Sequence, residues 1–391
     1  MPTATLWILL ICAGPATAQN SKPVLIGLDG EFGHVSSTSA EAIRQGIQIA
    51  IDEVNRTGGV LHGRPLKLVE KANSSLPARS FNNIKEFAAL PDLVAVFCGR
   101  FTPTVLETLP LIHSLGIPLL DPWAAGDGIV DNNYHPNFVF RLSLKDSWAA
   151  NVMMAYLERR KFKRVGLLMV NTSWGRSTKK AVEDYVARKP GVTIAATQWI
   201  NWDDKEDSML AKVQRLRAGG ADAILLTGNA EEGATLAKVM LTLPKGDRLA
   251  VASHWGVTGG KLPELVGKDF YLLDFSVVQT YTFIGQNSLA AARVISAQNT
   301  MAGGTSARSI ASPVGVAHAY DLTHILAKAI NRAGSTDRRE IRDALETLPA
   351  YAGLIKTYAP PFTANRHEAL SERDVFMSRY SPLDGALERL P

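Results

Sequence analysis

The stretch Leu93-Val94-Ala95-Val96-Phe97-Cys98-Gly99-Arg100-Phe101-Thr102 decides the fold, together with Ile117-Pro118-Leu119-Leu120-Asp121-Pro122-Trp123-Ala124-Ala125-Gly126 one strand later. Each begins with a short unbroken apolar run, the pattern of a strand buried on both faces of a parallel sheet, and then gives way to a loop. Ligands of open α/β sheets bind just outside the carboxyl ends of the strands. Gly99, Arg100, Phe101 and Thr102 on one loop, and Trp123, Ala124 and Ala125 on the next, are therefore the first candidates for a binding surface.

Working outward, residues 24–28 read as the first strand and 38–57 as a helix with Ile43, Ile47, Ala50, Ile51 and Val54 on one face. Thr38 and Glu41 have the spacing of a capping box, and Gly58-Gly59 ends the helix. The polar loop 29–37 between them opens at the same sheet edge as the deciding stretch. With strands at 66–69 and 138–141 and helices at 77–90 and 104–115, the first unit is a five-stranded parallel sheet covered on both faces, which requires right-handed crossovers.

The pattern restarts after residue 143. Strands at 165–170, 192–200, 223–226 and 249–252 alternate with helices at 147–160, 174–187, 207–218 and 231–243. Two of these strands open into Thr227-Gly228-Asn229-Ala230 and Ser253-His254-Trp255-Gly256. After residue 275 long helices dominate, at 286–301, 313–333 and 337–348, with strand-like pieces only near 354–358 and 374–380. These late strands are too few for a third domain, so the chain is expected to return to the first unit and cross back near Gly353. The predicted fold is α/β, two doubly wound parallel-sheet lobes joined by a three-crossing hinge. One lobe comprises residues 22–142 plus 277–353 and the other 143–276 plus 354–391, with a ligand cleft between them.

Composition narrows the function. The 391 residues are 46% hydrophobic and 20% charged, enough for two cores. A formal net charge of +5 over 42 basic and 37 acidic residues is modest, and no basic run is interleaved with aromatics, so no nucleic-acid partner is expected. Patches such as Arg159-Arg160-Lys161 read as solvated helix faces.

At the N-terminus a short apolar stretch is followed by Ala16-Thr17-Ala18, the small-x-small pattern of a signal-peptidase site, so residues 1–18 are expected to be a signal peptide. No Lys or Arg precedes the apolar stretch, so the start is expected to be truncated or misplaced. Cys12 raises a lipid anchor, but bulky Ile11 before it favours soluble export. Removal of the leader leaves Cys98 as the lone cysteine, read as a small core hydrophobe.

Enzyme chemistry finds little support. The eight histidines are scattered, and the sequence has no His-Glu-x-x-His, no Gly-x-Ser-x-Gly elbow and no phosphate loop. His318 and His324, six apart on one helix, cannot share a metal. No cofactor and no metal are expected.

The chain resembles the type I periplasmic solute-binding proteins of the branched-chain amino acid (Leu/Ile/Val) group, the extracytoplasmic receptors of ABC importers. The likeness runs through Val24-Leu25-Ile26-Gly27, Ala50-Ile51-Asp52-Glu53-Val54-Asn55-x-x-Gly58-Gly59-Val60, Gly63-Arg64-Pro65-Leu66, Gly116-Ile117-Pro118 and Val165-Gly166-Leu167-Leu168 with Trp174-Gly175. The resemblance implies a periplasmic, monomeric receptor that closes on a small-molecule ligand (an amino acid, aromatic or other small carboxylate) and serves a membrane ABC permease. It further implies that the loops at 98–102 and 122–126 offer hydroxyls and backbone amides to a carboxylate. Here Arg100 stands among them and could bind it bidentately. In the facing lobe Trp174 keeps the family's aromatic and Asn229 occupies an often aromatic slot. Trp255 stands near the acid that holds the ligand's ammonium in amino-acid-binding members, so that anchor is expected to be missing. Trp123, Trp174 and Trp255 are expected either to line a cleft for a flat carboxylate or to belong to the core. A ligand-sensing domain feeding a membrane signalling protein, and more remotely an exported hydrolase, are the other readings.

Overall fold

The computed structural model describes residues 22–33 and 37–391. The expected signal peptide and His34, Val35 and Ser36 of the first loop lie outside the described residues. The first lobe runs β1 (Val24–Gly30), α1 (Ser39–Arg56), β2 (Leu66–Ala72), α2 (Pro77–Ala88), β3 (Leu93–Cys98), α3 (Thr102–Leu115), β4 (Leu119–Asp121) and β5 (Val139–Arg141). All its pairings are parallel and the strand order is β2-β1-β3-β4-β5.

The second lobe follows with α4 (Asp146–Arg159), β6 (Arg164–Val170), α5 (Ser173–Arg188), β7 (Thr193–Ile200), α6 (Glu206–Ala218), β8 (Ala223–Thr227), α7 (Ala230–Thr242), β9 (Ala250–Ser253), α8 (Leu262–Val266) and β10 (Phe275–Gln279). Three helices then return to the first lobe: α9 (Leu289–Ala302), α10 (Pro313–Ala333) and α11 (Arg338–Glu346). The chain ends with the hairpin β11 (Tyr351–Ala352) and β12 (Thr357–Tyr358), then β13 (Phe376–Tyr380) and β14 (Leu387–Arg389). The second sheet has the order β14-β13-β10-β9-β8-β6-β7, and only its last two strands are antiparallel to their neighbours.

Sheet membership moves two expected boundaries. β10 pairs in parallel with β9, so the second lobe extends to Gln279 rather than 276. Residues 354–369 were expected in the second lobe but pack on the first. The Leu354 and Ile355 amides and the Tyr358 hydroxyl all donate to the Asp321 carboxylate of α10, at 2.7, 3.0 and 2.7 Å. Phe362 meets Phe140 edge-on at 5.1 Å, and the Ala369 amide donates to Arg141 O at 2.9 Å. A buried carboxylate needs such donors, so Asp321 holds this segment to the first lobe.

The expected capping box does not form either. Glu41 turns to Arg44 and Gln45, while the Thr38 hydroxyl meets that of Ser312 at 2.6 Å and the Thr38 amide donates to Gly259 O across the lobes at 2.9 Å. Helix α3 begins at Thr102 rather than 104, because the Thr102 hydroxyl accepts the Gly126 amide at 3.1 Å and so sits in the first turn.

Helices α1 and α10 pack against each other, and Gly46 permits a close approach. A Cβ there would overlap the Val316 carbonyl oxygen, which cannot swing away as a side chain could. Gly46→Ala is expected to lower stability by about 1–3 kcal/mol in urea unfolding despite the better helix propensity of alanine. Gly246→Ala, which meets nothing within 4 Å, should be near neutral.

Candidate functional site

Each sheet reverses its strand order once among its parallel strands, between β1 and β3 in the first lobe and between β6 and β8 in the second. Crossover helices leave on opposite faces at such a point, which opens a crevice beyond the strand ends. The two crevices face one another and merge into a cleft of about 990 Å3, lined by Arg100, Phe101 and Glu107 from the first lobe and by Thr172, Trp202, Asn229 and Glu232 from the second. That volume is at the upper end of the range of small-molecule sites, roughly 300–1,000 Å3.

Of the expected site residues, Arg100, Phe101 and Asn229 line this cleft. Arg100 does not stand as a bare carboxylate receptor. Its Nη1 donates to Gly259 O of the opposite lobe at 2.7 Å, its Nε lies 3.6 Å from Glu31, and its guanidinium covers the Phe101 ring at 4.8 Å. Glu31 is also held by the Ser39 hydroxyl and by the Arg100 amide, the latter at 3.3 Å. Glycine lies on both sides of this contact: a Cβ on Gly99 would displace the Glu31 carboxylate, and one on Gly259 would displace the guanidinium. Phe101 continues across the cleft to Trp202, edge-on at 6.0 Å. Asn229 is the N-cap of α7, 4% exposed, and its amide donates to Glu232 Oε2 at 2.8 Å.

The remaining expected residues lie beneath the cleft. The Trp123 and Trp255 rings, each 1% exposed, meet across the lobes at 5.4 Å. Trp123 fits a slot beside Gly315, where a Cβ would come within 2.8 Å of its ring. Trp174 donates from Nε1 to Asp146 Oδ1 at 3.1 Å and meets His254 edge-on at 5.0 Å. None of the three tryptophans lines the cleft; Trp123 and Trp255 pack as interlobe core and Trp174 as core of the second lobe. Ala124 and Ala125 are likewise buried.

The loop 122–126 was expected to offer its amides to a ligand, but the structure uses three of them internally. Asp121 Oδ1 accepts the amides of Trp123 and Ala124 at 3.0 and 2.7 Å, and Thr102 takes that of Gly126. Burial pushes the Asp121 carboxyl up to about 7, in spite of nearby Arg141. Burial also pushes the Cys98 thiol well up, which leaves it inert.

Beneath this loop Arg141, fully buried, forms a two-point pair with Glu368, Nε to Oε2 at 2.9 Å and Nη2 to Oε1. Its Nη1 donates to the Gly126 and Ala124 carbonyls at 2.8 and 3.3 Å, so one guanidinium fixes the loop to the returning chain.

Sequence reasoning did not single out Thr172, Ser173, Trp202 and Glu232. The first two begin the β6–α5 turn at the strand-order reversal, and their hydroxyls are buried without a partner among the described residues. Their signal was position at a carboxyl strand end. Trp202 carries no motif, and Glu232 reads as the closing acid of a capping box begun by Asn229. Among the described residues no group of three or more His, Cys, Asp or Glu could hold a metal ion, and no helix is long and apolar enough to cross a membrane.

Two sheets whose strand-order reversals face one another across a hinged cleft define a two-lobed solute-binding protein. The chain belongs to the periplasmic binding protein family, whose model matches residues 23–381. Within it, the chain is similar to the Leu/Ile/Val-binding protein homolog 3 of Brucella melitensis, 22% identical over 305 residues, or 76% of each chain. A type 1 periplasmic binding protein of Bordetella pertussis superposes with a TM-score of 0.83 at 23% identity, covering 95% of this chain and 100% of that one. A solute-binding protein of R. palustris in complex with 4-hydroxybenzoate superposes with a TM-score of 0.77 at 15% identity, covering 94% and 96%. Members of the family are binding proteins.

Two outcomes test this geometry. Glu368→Gln leaves Arg141 buried without its counter-charge and is expected to cost about 3–5 kcal/mol in denaturant unfolding, whereas Glu183→Gln in an exposed pair should change little. A carboxyl raised from 3.8 to about 7 keeps its proton in the folded state after the unfolded chain has lost it, so stability falls as pH rises through that window. Asp121→Asn, which keeps an acceptor for the two amides, should flatten the decline in Tm between pH 5 and 8.

Proposed function

We propose that the protein is the periplasmic, monomeric receptor of an ABC importer, capturing a small amino-acid-like or carboxylate-bearing solute by hinge closure and presenting the closed form to a membrane permease. The observation that carries this reading is the cleft lined from both strand-order reversals, with Arg100 of one lobe bonded to Gly259 of the other beside it. A contact of that kind exists only when the lobes are shut, so a ligand that strengthens it draws the hinge closed.

In this reading Arg100 meets the carboxylate through Nη2, since Nε is turned to Glu31 and Nη1 to Gly259 O. Phe101 and Trp202 flank the apolar part, and Asn229 adds a polar contact from the second lobe. Gly99 and Thr102 set the first-lobe loop, while Trp123, Ala124, Ala125, Trp174 and Trp255 shape the closed interface under the ligand. The Leu/Ile/Val-binding relative and the 4-hydroxybenzoate complex agree with a small solute bearing a carboxylate.

A thermal-shift screen of branched-chain and aromatic amino acids, aliphatic and aromatic carboxylates, amides and amines tests it. A ligand present at a hundredfold excess over its Kd is expected to stabilise the protein by about 2.7 kcal/mol, and to contract it in small-angle scattering. Arg100→Ala should abolish the shift for carboxylates. A panel in which no compound raises the transition, or a confirmed binder that leaves the scattering profile unchanged, overturns the proposal.

A further inference from the structure

A second hollow, of about 660 Å3 and sharing no residue with the cleft, lies on the second lobe where α4 packs against β13. Its origin is a helix with two apolar faces. Met153, Met154 and Leu157 of α4 are fully buried in the lobe. Val152, Ala155 and Tyr156 are only half-buried, and with Arg159 they fall at i, i+3, i+4 and i+7 on one stripe that the sheet does not cover. Phe376 and Leu390, also half-buried, complete the apolar lining. An adjoining hollow of about 370 Å3 shares Tyr156 and Leu390 with it.

Charge says what such a lining receives. The two hollows are lined by four arginines, Arg159, Arg160, Arg379 and Arg389, against two carboxylates, Asp274 and Glu372. Arg160 is engaged by Asp274 in a two-point pair. Glu372 accepts from the Asn151 side chain at 2.7 Å and meets no cation among the described residues. The side chains of Arg159 and Arg389 make no hydrogen bond or ion pair among the described residues. Arg389 instead lies over the Phe376 ring at 4.4 Å, and a guanidinium stacked on a ring keeps its edge donors free for an acceptor.

We propose that this hollow is a second binding site, for a small amphiphilic anion: an alkyl or aryl body on the apolar lining, with one carboxylate or sulfonate held by Arg159 and Arg389. The volume lies within the roughly 300–1,000 Å3 of small-molecule sites. A membrane surface is disfavoured as the source of the anion, because insertion needs apolar side chains that project and these are recessed between helix and sheet. Glu372 and Val375 belong to the third hinge crossing, so the occupant touches the hinge as well as the lobe.

Fluorescence titration of the full chain with 8-anilinonaphthalene-1-sulfonate tests the site, with decanoate, decanol and decyltrimethylammonium as competitors. Saturable dye binding is expected, displaced by decanoate at roughly tenfold lower concentration than by decanol, the scale of two exposed charge contacts. Combining Arg159→Glu with Arg389→Glu should weaken dye and decanoate by at least about that factor. Ala155→Trp, which fills the hollow without changing its charge, should also block the dye. Should the filled variant not fold, the exposed arginine pair decides alone. Arg100→Ala, which removes the anion donor of the cleft, should not release the dye. Decanol that competes as well as decanoate, dye that survives the arginine changes or leaves with Arg100→Ala, or no saturable binding overturns the site. So does capture by phosphatidylglycerol vesicles without displacement by decanoate. The cleft's role as the solute site stands or falls separately, on the thermal-shift screen.

Discussion

The cleft loop of the first lobe is held by the Arg141–Glu368 pair beneath it. Removing a guanidinium from water costs several kcal/mol unless its donors are met, and here Glu368 takes two of them and the Ala124 and Gly126 carbonyls share another group. The backbone of Arg141 adds to the same join: its amide donates to His367 O at 2.8 Å, and its carbonyl accepts from Ala369. Strand β5, the loop above it and the returning chain thus form one rigid body. The third crossing of the hinge can begin only after that body ends, beyond Ala369.

Much of the fold was legible because buried parallel strands read as unbroken apolar runs. Leu93 to Phe97 and Leu167 to Val170 are fully buried or nearly so, and the strands fall where those runs do. Local signals failed where a distant partner claimed the group. Thr38 had the right spacing to cap α1, yet its hydroxyl meets Ser312, far along the chain. Gly353 marked a break in pattern, but the chain there is tied to Asp321 in the middle of α10, and no feature of the segment itself announces that carboxylate.

The site divides in the same manner. Arg100, Phe101 and Asn229 were found because position at a strand end is a property of local sequence. Trp123 and Trp255 sit at equivalent strand ends, but whether an indole lines a cleft or fills it depends on what faces it. Each faces the other. Glu232 gave no separate signal: it is the helix-capping acid of α7, and only the fold places it in the cleft. The tryptophans occupy the floor, and the open space is displaced outward.

The Trp123–Trp255 contact has a kinetic meaning. Half of it belongs to each lobe, so shutting the hinge removes two large aromatic faces from water even with no solute present, and rings of this size bury on the order of 150–250 Å2 each. The contact thereby adds to the stability of the shut form, and entry and escape both wait for the indoles to part.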